Sequence, residues 1–404
     1  MKKKFVLVAV FGTLVIVAVA LVLTASANSR SAAAKLEDLR TEAKKLGMPT
    51  TMKEVPIGKG PTPASNAAIL IKEASTKFGK DDEAAVALLI EAGFKPDCDF
   101  GFDPMDSAQE IKALDLDKGI ALLLDRAETG FKEDSVAEAQ RYLRAALATA
   151  RVLTFVPTPE AFAESLRLER AVFQRLGRLM VERPDDGVLM TVVQAATLDP
   201  RSHQSLTYSL RGFYASGNEI GQNREIDGDQ SVSWLWTRSD FPTDPWGRDA
   251  VEARHLEGAI ALHKKLAGAR SWPDAVTATR SAVEEWQKDT RASSYSLKAT
   301  APSIADLPTA AAENEAARRV LFVSAAAFRS RIRTRAFPAR SPVLGEMSFD
   351  VFTGTPMSYF NPGTGFYVYS VGSDGLDDGG PSEHGLTFEG DVSFYFAGPR
   401  SPAP

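Results

Sequence analysis

The chain has 404 residues, 44% of them hydrophobic, a formal net charge of −5 and a single cysteine, Cys98. That length supports one large or two modest cores, and the mild acidity gives no global field for nucleic acid, which leaves nucleic acid out of the expected partners. With one cysteine there is no intramolecular disulfide, so the core alone must hold the fold.

From Phe5 to Ala25 no charge interrupts FVLVAVFGTLVIVAVALVLTA. At about 1.5 Å of helical rise per residue, roughly twenty residues match the ~30 Å hydrocarbon core of a bilayer. Lys2, Lys3 and Lys4 precede this stretch and Arg30 is the first charge after it. The bias predicts a single-pass signal anchor in the cell membrane through residues 5–25, with the N-terminus cytoplasmic and the body extracytoplasmic. The competing reading is a secretory signal peptide cleaved after Ala27, in Ala25-Ser26-Ala27. An h-region of about 7–15 residues is shorter than this run, which favours the anchor; either way the body is exported. A pilin-type leader does not fit, because Thr13 follows Gly12 and the apolar run holds no Glu.

Beyond it, residues 31–46 place Ala32, Leu36, Leu39, Ala43 and Leu46 at helical spacing, and Gly47 with Pro49 ends the helix. A Pro/Thr/Gly-rich connector covers 48–64. Helices are predicted from 66 to about 78, with Ala68, Ile69, Leu70 and Ile71 mostly buried, and from Asp81 to Gly93. The break FKPDCDFGFDPMD carries Asp97, Asp99, Asp103 and Asp106, which could serve a hard cation but more commonly make turns and caps. Cys98 reads as a small buried hydrophobe rather than a nucleophile.

From 107 to about 193, helix follows helix with short joints, so the body is predicted as antiparallel helical hairpins, a bundle or an irregular solenoid without a fixed repeat. A helix over 202–214 leads into the irregular segment 217–248, polar at first and then dense in Trp234, Trp236, Phe241 and Trp246. The aromatics read as plugs of the helical core. His203, His255 and His263, with Glu225, Asp227, Asp229 and Asp244, sketch a metal or acid/base site, but His255 and His263 are eight apart, not four. Helices at 249–266 and 273–290 precede a Ser/Thr/Ala/Pro connector over 293–309. A long helix over 310–335 follows, apolar on the side of Ala316, Val320, Leu321, Ala325 and Phe328. Arg329, Arg331, Arg333, Arg335 and Arg340 cluster at its end, and a solvated helix end accounts for them.

From 349 the periodicity becomes two, in MSYF, GFYVYSVG and DVSFYFAG. The fold class is thus mainly α with a small C-terminal antiparallel β module. The expected organisation is tip and anchor 1–27, juxtamembrane helix and linker 28–64, helical body 65–309, and long helix plus β module 310–404. The stretch FDVFTGTPMSYFNPGTGFYVYSVGSDGLDDGG resembles a C-terminal pattern of the form DPFSGKPLRY…GFLLYSVGPDGKDDGG. That pattern recurs in membrane-anchored helical proteins of planctomycete-type bacteria. Val351 and Ser373 stand where it has Pro. LRTEAKKLGMPTT, ASNAAILIKEA and KPDCDF are similar to the early part of such proteins. The YSVGSDG loop is also similar to the C-terminal loop of the major type II secretion pseudopilin, which implies a calcium-binding loop. Asp374, Asp377, Asp378 and Asp391 are the candidate ligands of a structural Ca2+, with backbone carbonyls completing the oxygens. The plainer reading of the same aspartates is tight turns between the strands.

No GxSxG, P-loop, dinucleotide or zinc pattern is present. The expected function is a membrane-anchored extracytoplasmic structural or protein-interaction protein with an unidentified protein partner. The alternative is an exported hydrolase using acidic and His residues near 217–248.

Overall fold

A computed structural model describes residues 30–51, 54–55, 62–102, 107–197, 204–215, 248–378, 384–388 and 390–397. The apolar stretch 5–25 and the tryptophan-rich segment 217–246 lie outside the described residues. Among the described residues no helix is long and apolar enough to cross a membrane. The chain is mainly helical, with one small four-stranded antiparallel sheet near its C-terminus. It divides into two compact units, each assembled from separated pieces: Met1–Val55, Arg211–Lys264 and Ser281–Pro302 in the first, Pro56–Leu210, Lys265–Arg280 and Ser303–Pro404 in the second.

The first unit contains helix α1 (30–45) and most of α10 (Arg248–Ala267), with parts of α11 (Trp272–Lys288) and α12 (Tyr295–Ala305). Leu36 and Ala43 of α1 are buried, as their spacing predicts. Around them α1 is tied to α10 by Lys35–Glu257 at 3.2 Å, Arg40–Glu252 at 2.5 Å and Glu42–Lys264 at 2.5 Å. Gly258 lets α12 approach closely, since a Cβ there would stand 2.6 Å from Leu297 Cδ1 and 3.1 Å from Trp286 Nε1.

In the second unit, α2 (Ala67–Lys77) and α3 (Asp82–Ala92) form a hairpin whose starts are capped by the side chains of Asn66 and Asp81. Helices α4 (Ser107–Ala113), α5 (Leu116–Lys132), α6 (Val136–Arg151), α7 (Pro159–Glu182), α8 (Asp186–Thr197) and α9 (Gln204–Ser209) follow. Thr158 caps α7 by accepting the Ala161 N–H, and Pro159 takes the first turn, where no N–H is needed. The long α13 (Leu307–Thr334) packs on α7 and α8 and buries Ala316, Val320, Leu321, Ala325 and Phe328, the face that its periodicity predicts.

Strands β1 (Ser358–Phe360), β2 (Gly365–Ser370), β3 (Gly385–Thr387) and β4 (Val392–Ala397) lie in the order β1-β2-β4-β3, all antiparallel. Alternation sends Phe366, Val368, Phe394, Phe396 and Leu386 inward. Phe328 of α13 meets three of these rings, Phe366 at 5.2 Å, Phe396 at 4.8 Å and Phe394 at 6.1 Å between centroids.

Three expectations are corrected. The connector over 293–309 is helical: α12 forms despite Pro302, because Leu297, Ala301 and Ile304 fall at three- and four-residue spacing and are fully buried. Ile69 of α2 is 48% exposed, and the buried stripe runs instead through Ala67, Ala68, Ile71 and Ala74. The helix expected over 202–214 is interrupted at Leu210. Strand β3, with three residues, carries too short an alternation to be read in the sequence.

Candidate functional site

The acidic loop expected to bind a cation lies at the end of the sheet where β2 finishes and β4 begins. The Ser370↔Val392 pair is the last of that ladder. Beyond it the two chains stay close: the Gly372 N–H donates to Asp391 Oδ1 at 3.3 Å, and any Cβ on Gly372 would overlap the Gly390 carbonyl oxygen. Only glycine permits that approach.

Each acidic side chain here has a definite place. Asp374 Oδ1 accepts the Leu376 N–H at 3.0 Å, a local turn that brings Gly375 to φ +71°. Tyr369 donates its hydroxyl to Asp377 Oδ2 at 3.1 Å, and burial together with this carboxylate raises the Tyr369 phenol above its ordinary value. Asp378 lays Oδ2 against the Cα of Gly390. Asp391 is buried, at 2% exposure, whereas Asp374, Asp377 and Asp378 face solvent. The loop therefore gathers the four candidate ligands at one end of the sheet, but turns at least three of them toward hydrogen-bond donors of the protein. Among the described residues, no group of three or more His, Cys, Asp or Glu side chains is disposed to hold a metal ion. The ring of His384, from the same connection, lies tilted against that of Tyr395, 4.8 Å between centroids.

A fifth carboxylate, unassigned by the sequence reading, organises this end. Asp350 is 4% exposed. Its Oδ1 accepts the N–H groups of Phe352 at 2.6 Å and Thr353 at 3.3 Å, and its Oδ2 accepts the Val371 N–H at 2.8 Å. One side chain thereby closes the 350–355 turn and fastens it to the end of β2. The available signal was the D-x-F-x-G spacing, which suits a turn with Gly354 at φ +67°.

The other candidates are placed as follows, where they fall among the described residues. His255 is fully buried in the first unit. Its Nε2 lies 2.8 Å from the Phe213 carbonyl, which can only accept, so the proton sits on Nε2 and Nδ1 accepts from the Ser296 hydroxyl at 3.2 Å. Burial pushes its pKa down to about 4. His263 meets the edge of the Tyr214 ring, 5.5 Å between centroids, and burial lowers its pKa too. His203, Glu225, Asp227, Asp229 and Asp244 lie outside the described residues. Cys98 is buried, and desolvation followed by the charge of Asp99 raises its thiol pKa, which disfavours the thiolate. Asp99 makes a turn to the Gly101 N–H at 2.8 Å, while Asn66 pairs with both backbone groups of Asp99. Asp103 and Asp106 are outside the described residues.

Comparison of this chain with family models, curated proteins and solved structures finds no match in any of the three.

Proposed function

We propose that this is a membrane-anchored extracytoplasmic structural or protein-interaction protein, in which residues 5–25 hold the body at the cell membrane and the C-terminal β module caps the last helix. The observation that carries the reading is the fastening of α1. The described part of this helix, from Arg30, follows Ala25 by five residues in the sequence and is joined to α10 by three ion pairs around a buried Leu36 and Ala43. A helix so placed is part of the first unit rather than a loose stalk, so the apolar segment would tether that unit directly. The same engagement of polar groups marks the C-terminal module, where Asp350 serves as a backbone clip. Support for the planctomycete-type and pseudopilin-like resemblance remains the C-terminal pattern itself.

The test of the anchor is alkaline extraction of membranes followed by external protease on intact spheroplasts. Retention in the membrane with digestion of the body supports the proposal; release by alkali, or a protected body, overturns it. A structural Ca2+ at Asp374, Asp377, Asp378 and Asp391 is part of the same proposal, and calorimetry decides it. Heat of calcium binding that disappears in Asp374→Ala/Asp378→Ala supports the site; no heat in the parent leaves these aspartates as turn residues.

A further inference from the structure

The C-terminal part of the second unit is electrically bipolar along its strands. Helix α13 runs antiparallel to β2: Arg319 donates to the Phe349 carbonyl beside Asp350, whereas Arg331, three turns on, lies 4.8 Å from the ring centroid of Phe337 and 5.7 Å from that of Phe396. Phe396 pairs with Phe366 where β2 begins. Asn361 and Tyr359 fix Pro338 at this same end by hydrogen bonds to its carbonyl, at 3.0 and 2.9 Å. The α13 terminus with Arg333 and Arg335, and Arg340 two residues past Pro338, therefore sit at the start of β2. Asp374, Asp377 and Asp378 sit beyond its finish, about 20 Å away for a six-residue strand.

Each pole has the same construction with opposite sign. At the basic pole Ile332 is 49% exposed amid Arg333, Arg335 and Arg340, all exposed and without an ion-pair partner among the described residues. Two of the five arginines of this cluster are otherwise engaged, Arg329 with Asp186 at 3.1 Å and Arg331 on the rings. The negative end of the helix dipole offsets about half a charge, which leaves the pole strongly positive. At the acidic pole Leu376 is 63% exposed, between Asp374 and the Asp377-Asp378 pair. An exposed aliphatic anchor ringed by one sign of charge is the anatomy of an interface patch, and its complement is an anchor ringed by the other sign. Both are present on this chain, at opposite ends of one module, where they cannot meet each other.

From this we infer that the partner of each pole is a second copy of the chain, bound head to tail with Leu376 and its aspartates against Ile332 and its arginines. The contact is heterologous, so it propagates into open chains of copies rather than a closed dimer.

The test uses the full-length protein in detergent with a calcium chelator, so that no cation masks the acidic pole, and reads mass by light scattering across protein concentration. The parent is expected to associate at low salt, with association weakened about tenfold or more from low to high salt. Arg333→Glu/Arg340→Glu lies on an exposed helix end and its flanking turn; Asp374→Lys/Asp378→Lys changes the loop. Each pair alone is expected to be monomeric, because the reversal removes the charge that one pole offers the other. Mixed together the two variants are expected to associate again, since the intact acidic loop of one meets the intact arginine end of the other. A parent that stays monomeric at low salt, association that survives the arginine reversal, or a folded mixture that does not reassociate each overturns the inference. Should the loop variant lose its fold, the arginine pair alone still decides.

Discussion

Gly177 of α7 and Leu386 of β3 are in direct contact, so that a Cβ added to Gly177 would stand 2.7 Å from Leu386 Cβ and 3.0 Å from its backbone nitrogen. The helix groove and the edge strand fit because one residue has no side chain. Leu386 cannot retreat, since it is paired with Phe394 of β4.

Gly177→Ala therefore sets two effects against each other. Alanine in a helix interior gains about 1 kcal/mol over glycine. Forcing a methyl into this contact costs roughly 1–3 kcal/mol. The backbone neighbour decides the sign: destabilisation by about 1 kcal/mol, with faster amide exchange at Leu386, is expected. A higher denaturation midpoint would show that β3 gives way and that the contact is loose.

Asp350→Asn keeps the shape and removes one acceptor. The carboxylate takes three N–H donors on two oxygens, and an amide turns its NH2 toward one of them. Hydrogen bonds to a charged group contribute roughly 1.5–3 kcal/mol, so a loss near 2 kcal/mol is expected, with protection lost first at the Val371 amide. Unchanged exchange at Val371 would mean that the clip is not what fixes the turn.

How far the sequence discloses this molecule depends on how far apart the interacting residues lie. Phe328 and its buried helix face follow from spacing within one helix, and the strands with Phe366 and Phe394 from alternation within six residues. Helix α12 was hidden because composition, with Ser, Thr and Pro302, outweighed the spacing of Leu297, Ala301 and Ile304. The aspartates 374, 377 and 378 stand out as a run, but whether they point at a cavity or at backbone N–H groups depends on Gly390 and Asp391 across the ladder. Asp350 and Val371 are 21 residues apart, and only the β1–β2 register brings them together. The units are likewise discontinuous, because α1 finds its partner in α10, more than two hundred residues later, and no local pattern encodes that.

A charge buried in the second unit offers a sharper energetic test. Arg151 Nε lies 2.5 Å from Glu169 Oε1, and Asn314 donates to Glu169 Oε2 at 3.3 Å. The Glu169 side chain is only 2% exposed. Arg151→Met leaves that carboxylate without its cation and is expected to cost about 3–5 kcal/mol. Arg151→Met/Glu169→Met removes both charges and should regain most of the loss, because burying a pair is costly to begin with. Equal destabilisation in the single and double variants, measured by urea unfolding, would place the loss in packing instead of charge.

His255 gives the first unit a dependence on pH of definite sign. The folded imidazole is neutral, with its ordinary value of 6.5 lowered to about 4 by burial, while the unfolded chain protonates it normally. Between those two values the unfolded state binds more protons than the folded state, so stability falls as pH falls from about 6.5 to about 4 and is level outside that window. At about 1.4 kcal/mol per unit the full loss is on the order of 3 kcal/mol. Carboxylates titrate in the lower part of the same range, so the slope must be isolated by difference. His255→Gln can still donate to the Phe213 carbonyl but has no proton to gain. The variant should start less stable at neutral pH and lose less on acidification, so that the two curves converge toward pH 4. Parallel curves would show that His255 is hydrated in the folded protein, contrary to its enclosure between Phe213 and Ser296.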